Sequence, residues 1–294
     1  MVVTVNPEVK RKYLEAGVIG RNALELGKSL ATPGALLLDV AEKIEGFIRE
    51  QGAVPSFPVN LSINNEAAHY SPFVGDRKKF ATGDVVKIDV GASVDGYLSD
   101  NAATVEVGES GQHSDLIDAT REALNAAIKK VRPGAQIRSI GQEIGKVITS
   151  HGFKPIRNLG GHGLNRYDLH SEIFIPNYDD GNGETFHADM AIAIEPFAST
   201  GIGMIHNGPG GHIYILSGTK VRKDEPLYQN FNTVPFAERW VAKIMPDYSD
   251  YLHRRMKAKE VSEFAVLKEH KGSFISQAEH TLLILSDEVI VTTA

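Results

Sequence analysis

A duplicated α/β (α+β) fold is what this chain predicts, and three observations carry the prediction. Residue n matches residue n+100 through two helical stretches and the turn between them. Each half then ends an apolar strand on a carboxylate, at Asp89 and at Glu195. A third stretch, about 217–272, has no counterpart in the first half and reads as an inserted helical subdomain. The arrangement implied is pseudo-two-fold, helix, turn, helix and strands in each half, within one domain spanning 1–294. A chain of 294 residues is long enough to bury one large core.

The elements follow in order. A first helix is expected near 7–30, with Pro7 at a favourable opening position after Asn6. Its equivalent lies near 113–131, where Arg121, Ala123 and Leu124 match Arg21, Ala23 and Leu24. The turn ATPGA at 31–35 matches VRPGA at 131–135. Then Val40, Ile44, Phe47 and Ile48 align with Ile140, Ile144, Val147 and Ile148. The spacing i, i+4, i+7, i+8 is one face of an amphipathic helix. Asp39 and Ser139 precede these helices as N-cap candidates. Gly52 and Gly152 sit where a left-handed C-cap residue belongs. Downstream, GDVVKID resembles ADMAIAIE with one residue of slippage. Asp89 and Asp100 are spaced for neighbouring antiparallel strands joined around VDG, with Asp95-Gly96 at the turn. GNG at 181–183 and GPGG at 208–211 read as turns. In the insert, helices are expected near 235–245 and 248–269, and KAKEVSEFAVLKEHK reads as a solvated face of mixed charge. The closing LLILSDEVIVTTA reads as a β-hairpin turning near Ser286-Asp287.

Composition excludes several classes of function. Net charge is −6, with no block of like charge, so the basic footprint of a DNA-binding protein is missing. There is no cysteine, which removes disulfides and thiolate metal sites. The first residues lack an apolar core of signal-peptide length, and no apolar run is long enough to span a membrane. A cytoplasmic protein without a membrane partner is the expectation.

Asp89, Asp100, His162, Glu195 and Glu279 are the candidate metal ligands. Each lies in or beside an apolar strand-like run, where a carboxylate is costly unless it is paired or holds a cation. Four carboxylates and one imidazole form an oxygen-rich set suited to two divalent ions a few ångströms apart. His69 and His170 occupy nearly equivalent places in the two halves, offset by 101. They read either as ordinary surface histidines or as a pair that donates hydrogen bonds or shuttles protons. His113, His187, His253 and His270 read as surface residues, and His280 should face away from Glu279 on a strand. GGHG at 160–163 lacks the spacing of a phosphate loop and suggests a thin backbone that lets a ligand approach beside His162.

Five motifs in order, KIDVG, SDNAAT, GGHGL, AIEPFAST and QAEHTLL, resemble the metal-ligand motifs of the methionine aminopeptidases across almost the whole chain. The resemblance implies the pseudo-two-fold pita-bread fold. The insert before Glu279 looks like the type 2 subfamily, and the start of the chain close to the first catalytic helix looks like its archaeal members. By motif, Asp89 would hold one metal, Asp100 and Glu279 would bridge, and His162 and Glu195 would hold the other. The ions would be two of Co, Mn, Fe or Zn. His69 and His170 match the family's substrate-facing histidines, and Glu195 would relay a proton to the departing amine. Phe57, Leu169 and Phe197 fall at positions resembling the methionine pocket, with His206 and Phe264 near it by a looser match. The implied reaction removes N-terminal methionine from nascent proteins with a small second residue, through a hydroxide activated by two metals. N-terminal Met peptides, nascent proteins and a transient ribosome contact are the implied partners, with a monomer expected. The chain's own Met1-Val2 start is compatible with self-processing. Two rival readings are a proline-specific aminopeptidase of the same fold and a non-catalytic binding protein. The latter typically loses metal ligands, and all five are present here.

Overall fold

The computed structural model describes residues 5–108, 110–217 and 223–294, so Met1-Val2 and the stretch 218–222 of the insert lie outside the described residues. The first half contains α1 (Pro7–Leu30), α2 (Leu37–Glu50), β1 (Val54–Pro55), β2 (Asn60–Ile63), β3 (Glu66–Ala68), β4 (Val85–Val90), β5 (Ala92–Val94), β6 (Tyr97–Leu98) and β7 (Asn101–Glu106). The second half follows with α3 (Ser114–Ile128), α4 (Ile137–Ser150), β8 (Lys154–Pro155), β9 (Gly160–Asn165), β10 (Asp168–Pro176), β11 (Met190–Ile194) and β12 (Phe197–Ser199). Next come β13 (His206–Leu216), α5 (Pro226–Phe231), β14 (Phe236–Ala237), α6 (Glu238–Ile244), α7 (Tyr248–Lys257) and β15 (Val261–Lys268). The chain closes with β16 (Ile275–Gln277), β17 (His280–Ile284) and β18 (Val289–Val291).

The internal repeat is visible in the backbone. Asn6 caps α1 by accepting from the amides of Glu8 and Val9 at 3.0 Å, which satisfies two donors that a helix start leaves without partners. At the turn before α2, the amide of Gly34 donates to the Phe80 carbonyl at 2.8 Å and that of Phe80 to Ala35 at 3.1 Å. The second half repeats both bonds, from Gly134 to Phe186 at 2.8 Å and from Phe186 to Ala135 at 3.0 Å. Phe80 and Phe186 are both buried in the two matching cores. In one core Ile44 and Ile48 meet Leu61, Val86 and Ile88; in the other Ile144 and Ile148 meet Ile192, Ile194 and Leu282. Each such side chain contributes roughly 1.5–3 kcal/mol on burial, so the apolar helix face is what docks α2 and α4.

Two antiparallel sheets bring the ligand-bearing strands together. One runs β2-β4-β7 and the other β10-β9-β11-β17-β18. They meet where Ala102 bridges Glu279, the amide of Glu279 donating to the Ala102 carbonyl at 2.9 Å. The β5–β6 hairpin turns at Asp95-Gly96, both at positive φ (52° and 87°), as an Asp-Gly turn should. The final hairpin pairs β17 with β18 around Ser286 and Asp287.

Several expectations are corrected. Asp39 and Ser139 lie inside the first turns of α2 and α4, whose N-caps are Leu36 and Gln136 without a side-chain cap bond. The chain enters both helices through backbone bridges, Leu36 to Lys79 and Gln136 to Thr185, which replace a capping side chain. The helix expected over 248–269 stops at Lys257, and 261–268 is strand β15 with Val261 and Val266 buried against β13. Mixed charge on that stretch hid the two buried valines. GPGG lies within β13, where it is accommodated by register shifts. His113 is half-buried, with its ring centroid 4.2 Å from that of Phe274.

Candidate metal centre

Five strand ends converge. Asp89 lies in β4 opposite Ala102, and Asp100 directly precedes β7. His162 lies in β9 opposite Ala193, Glu195 directly follows β11, and Glu279 directly precedes β17. Asp100, His162 and Glu279 are buried, and Asp89 and Glu195 half-buried. One ligand atom from each of Asp100, His162 and Glu279 lies within 4.8 Å of the others. His162 Nε2 is 3.5 Å from Asp100 Oδ2 and 3.9 Å from Glu195 Oε1.

The electrostatics call for a cation. Burial is the first cause pushing all four carboxyls up, with their mutual repulsion adding to it at Asp100, Glu195 and Glu279. Asp89 is raised to about 7 and the other three well above the ordinary range. Among the described residues no lysine or arginine pairs with any of them. Oxygens of Asp89, Asp100 and Glu279 are buried with no hydrogen-bond partner, which a native interior does not leave uncompensated. His162 is pushed down to about 3, first by burial and then by His170, so its ring is neutral. Its Nδ1 lies 3.2 Å from the Gly163 carbonyl. With that nitrogen donating, the Nε2 lone pair faces carboxylate oxygens, an arrangement a metal ion between them turns from repulsive to favourable. The donor set, its burial and its orphaned oxygens therefore fit hard divalent metal ions.

A cavity of about 440 Å³ opens over this floor. All ten residues singled out in the sequence, the five above with Phe57, His69, Leu169, His170 and Phe197, line it. Phe264 lines it as well, whereas His206 is exposed and outside it. His69 is lowered to about 4, first by burial and then by the charge of His170, while the Ala265 backbone opposes the shift. His170 is also lowered by its crowded surroundings, although its ring keeps solvent access. Both histidines are thus neutral near neutral pH, and the one N–H of His69 goes to the Ala265 backbone. The His162 and His170 rings are 4.5 Å apart, and His69 meets Phe264 edge-on at 5.3 Å. His280 faces away as its alternation requires, its Nδ1 2.9 Å from Thr293 Oγ1.

Sequence reasoning missed Gln277. Its amide nitrogen lies 3.4 Å from Asp89, 3.3 Å from Glu195 and 3.3 Å from Glu279. The signal was present, since a buried Gln two residues before Glu279 shares its side of the strand. Ile213 and Pro235, from β13 and the insert, also line the cavity and carried no motif. The GGHG glycines also serve strand packing, and Gly160 lines the cavity beside His162. A Cβ at Gly161 would come within 2.2 Å of the Ala193 carbonyl oxygen, and one at Gly160 within 2.2 Å of that of Ile175.

Residues 11–276 match the model of metallopeptidase family M24. A methionine aminopeptidase of Methanocaldococcus jannaschii is 41% identical, covering 96% of this chain and 97% of that protein. One from Pyrococcus abyssi is 42% identical, with 96% and 98% covered. Among solved structures, the methionine aminopeptidase of Thermotoga maritima superposes with a TM-score of 0.74 at 26% identity, covering 100% of this chain and 99% of that one. A thermophilic Arx1 superposes with a TM-score of 0.85 at 17% identity, over 98% and 91% of the two chains, a likeness of fold alone. The fold is thus the pita-bread α/β fold that these neighbours share. With full-length identity of this order and the ten candidate site residues gathered around one cavity, the chain belongs to the methionine aminopeptidases of metallopeptidase family M24.

Proposed function

We propose that this chain is a metal-dependent aminopeptidase that removes N-terminal methionine from peptides and nascent proteins with a small second residue. One observation carries the reading: a neutral His162 and four buried carboxylates form the floor of an apolar cavity of about 440 Å³. Asp89, Asp100, His162, Glu195 and Glu279 would hold two divalent ions, drawn from Co, Mn, Fe or Zn. Four carboxylates are too many anions to bury around one divalent cation. Ions so held would lower the pKa of water between them and polarise a carbonyl.

The chain's own residues supply the rest. Phe57, Leu169 and Phe197 form an apolar wall that receives the methionine side chain, where a flexible, polarisable thioether packs well. His69 and His170, neutral and facing the same cavity, contact the scissile amide: His170 donates its N–H to the carbonyl oxygen as its charge grows, and His69, whose one N–H bonds the Ala265 backbone, presents its other ring nitrogen. Glu195 takes a proton from the attacking water and delivers it to the departing amine. The whole described chain serves as one catalytic unit, because the insert contributes Pro235 and Phe264 to the same cavity.

Mass spectrometry of Met-Ala-Ser, norleucine-Ala-Ser, Lys-Ala-Ser and Met-Lys-Ser peptides tests this, with and without chelator. The first two are expected to be cut by metal-loaded protein, since both side chains bury similar apolar area. The others should be poor substrates, through desolvation of charge in one case and crowding in the other. Activity that survives complete metal removal, or efficient release of Lys, would overturn the proposal. A requirement for proline in second position would favour a proline-specific enzyme instead.

A further inference from the structure

His69 is the one cavity-lining histidine held in a left-handed backbone conformation, with φ 66°. A non-glycine residue persists there only when its surroundings fix it. Three of its constraints come from the far part of the chain. Phe264 packs edge-on against its ring, and the Ala265 backbone hydrogen-bonds it. Gly211 lies so close that a Cβ there would sit 2.1 Å from the His69 carbonyl oxygen.

A fourth constraint is buried beneath. On α6, Arg239 is 2% exposed and reaches into the first half. Its Nη1 donates to Ser71 Oγ and to the Pro72 carbonyl, each at 2.8 Å. Its Nη2 pairs with Glu45 of α2, itself 1% exposed. Glu45 also accepts from Trp240 Nε1 at 2.6 Å and from the Val59 amide at 3.2 Å. Ser71 Oγ in turn donates to the Val59 carbonyl at 2.9 Å. The two segments so tied matter to the site. Ser71 is two residues beyond His69. Val59 is two residues beyond Phe57 and next to Asn60, the register partner of Asp89.

We propose that Arg239 is a positioning residue: through Glu45, Ser71 and Pro72 it fixes the segments that carry His69 and Phe57, so the insert sets the geometry of a cavity that it only partly lines. The proposal rests on the reading of His69 as a substrate-facing residue. The physical logic is that of a buried guanidinium fork. Five fixed donors can hold a carboxylate, a hydroxyl and a carbonyl in one plane at once, which a single ammonium cannot reproduce. A displacement of about 1 Å at a substrate-facing group such as His69 is enough to cost about 10²-fold in rate.

The test separates positioning from stability. Arg239→Met alone leaves Glu45 buried and without its guanidinium, which threatens the fold. The double variant Glu45→Met/Arg239→Met removes both charges, and such replacements are often neutral or stabilising. Metal-loaded double variant should therefore keep the parental metal stoichiometry and stay folded, with a lower melting temperature because Trp240 Nε1 and the Val59 amide lose their acceptor. Its kcat on Met-Ala-Ser should fall about 10²-fold, and the ring NMR shifts of His69 should move. Ser71→Ala, which keeps the Glu45–Arg239 pair, should shift kcat and the His69 ring signals in the same direction by less. His69→Ala serves as reference. If both clamp variants retain parental kcat, KM and His69 shifts while His69→Ala is strongly impaired, the clamp idea is wrong and the role of His69 stands. If His69→Ala itself turns over at the parental rate, the reading of His69 fails and the inference falls with it.

Discussion

At the scale of single residues, the site is a contest between burial and charge. His162, His69 and His170 are all held below the ordinary imidazole range, first of all by burial. Only His162 turns a nitrogen toward carboxylates. The other two should therefore act on substrate rather than on metal. His69→Ala and His170→Ala are each expected to keep stoichiometric metal and to lose about 10²–10⁴-fold in rate, the scale of a positioned donor. Metal analysis beside single-turnover kinetics checks this, and loss of metal by either variant would reassign that histidine as a ligand. Gln277 offers a second test. Its amide nitrogen is the shared neighbour of three carboxylates. Gln277→Leu should weaken metal affinity about 10–100-fold without unfolding the protein, as loss of a group that orients ligands does. Competition titration with a chelating dye reads the affinity directly; an unchanged value would mean the amide only fills space.

Among elements, strand contacts rather than propensity place the ligands. Gly161 lets β9 lie against β11 closely enough for His162 to sit opposite Ala193. Gly161→Ala would drive a methyl group to 2.2 Å from the Ala193 carbonyl oxygen. It should cost about 1–3 kcal/mol in urea unfolding, the usual penalty of overpacking, and displace His162 enough to weaken metal binding. Gly46, within α2, meets nothing within 4 Å. Gly46→Ala should therefore stabilise the protein by roughly 1 kcal/mol, the helix-propensity difference. A Gly161→Ala variant as stable as the parent would show that the sheet can open locally.

For the whole molecule, the metal centre couples stability to pH. Asp89, at about 7, and the other three carboxyls are raised above their unfolded values, primarily by burial. A carboxyl raised on folding binds its proton more tightly in the native state. Its stabilising contribution is complete below the unfolded value, about 4, and is lost as pH rises through the folded one. Metal-free protein should thus lose the contribution of Asp89 between about pH 4 and 7, and those of the other three as pH rises through their own raised values. Bound metal replaces the protons, so the gain in melting temperature on adding metal should be larger at pH 7.5 than at pH 5.5, with proton release on binding. Melting curves at the two pH values, with and without metal, test the sign. A metal-induced gain that grows on acidification would contradict the arrangement.

The sequence by itself determined the duplicated architecture and singled out the five candidate ligands that the fold brings to one cavity. Helix periodicity at Val40–Ile48 and Ile140–Ile148 and carboxylates at strand ends are local signals, written in consecutive residues. Those residues do lie in α2 and α4, with Gly52 and Gly152 at positive φ beyond them. Tertiary structure alone decided what depends on approach from far away in the chain. Gln277 stands in QAEHTLL, but two of the three carboxylates beside its amide, Asp89 and Glu195, lie 188 and 82 residues away in the chain. Arg239 belongs to no motif, and its partners Glu45 and Ser71 are 194 and 168 residues distant. Residues 261–268 looked helical and solvated because mixed charge masks a strand of which only Val261 and Val266 are fully buried. Local pattern encodes which face of an element is apolar. It does not encode which polar atom waits on the other side of the core, because that is set by packing of the whole fold.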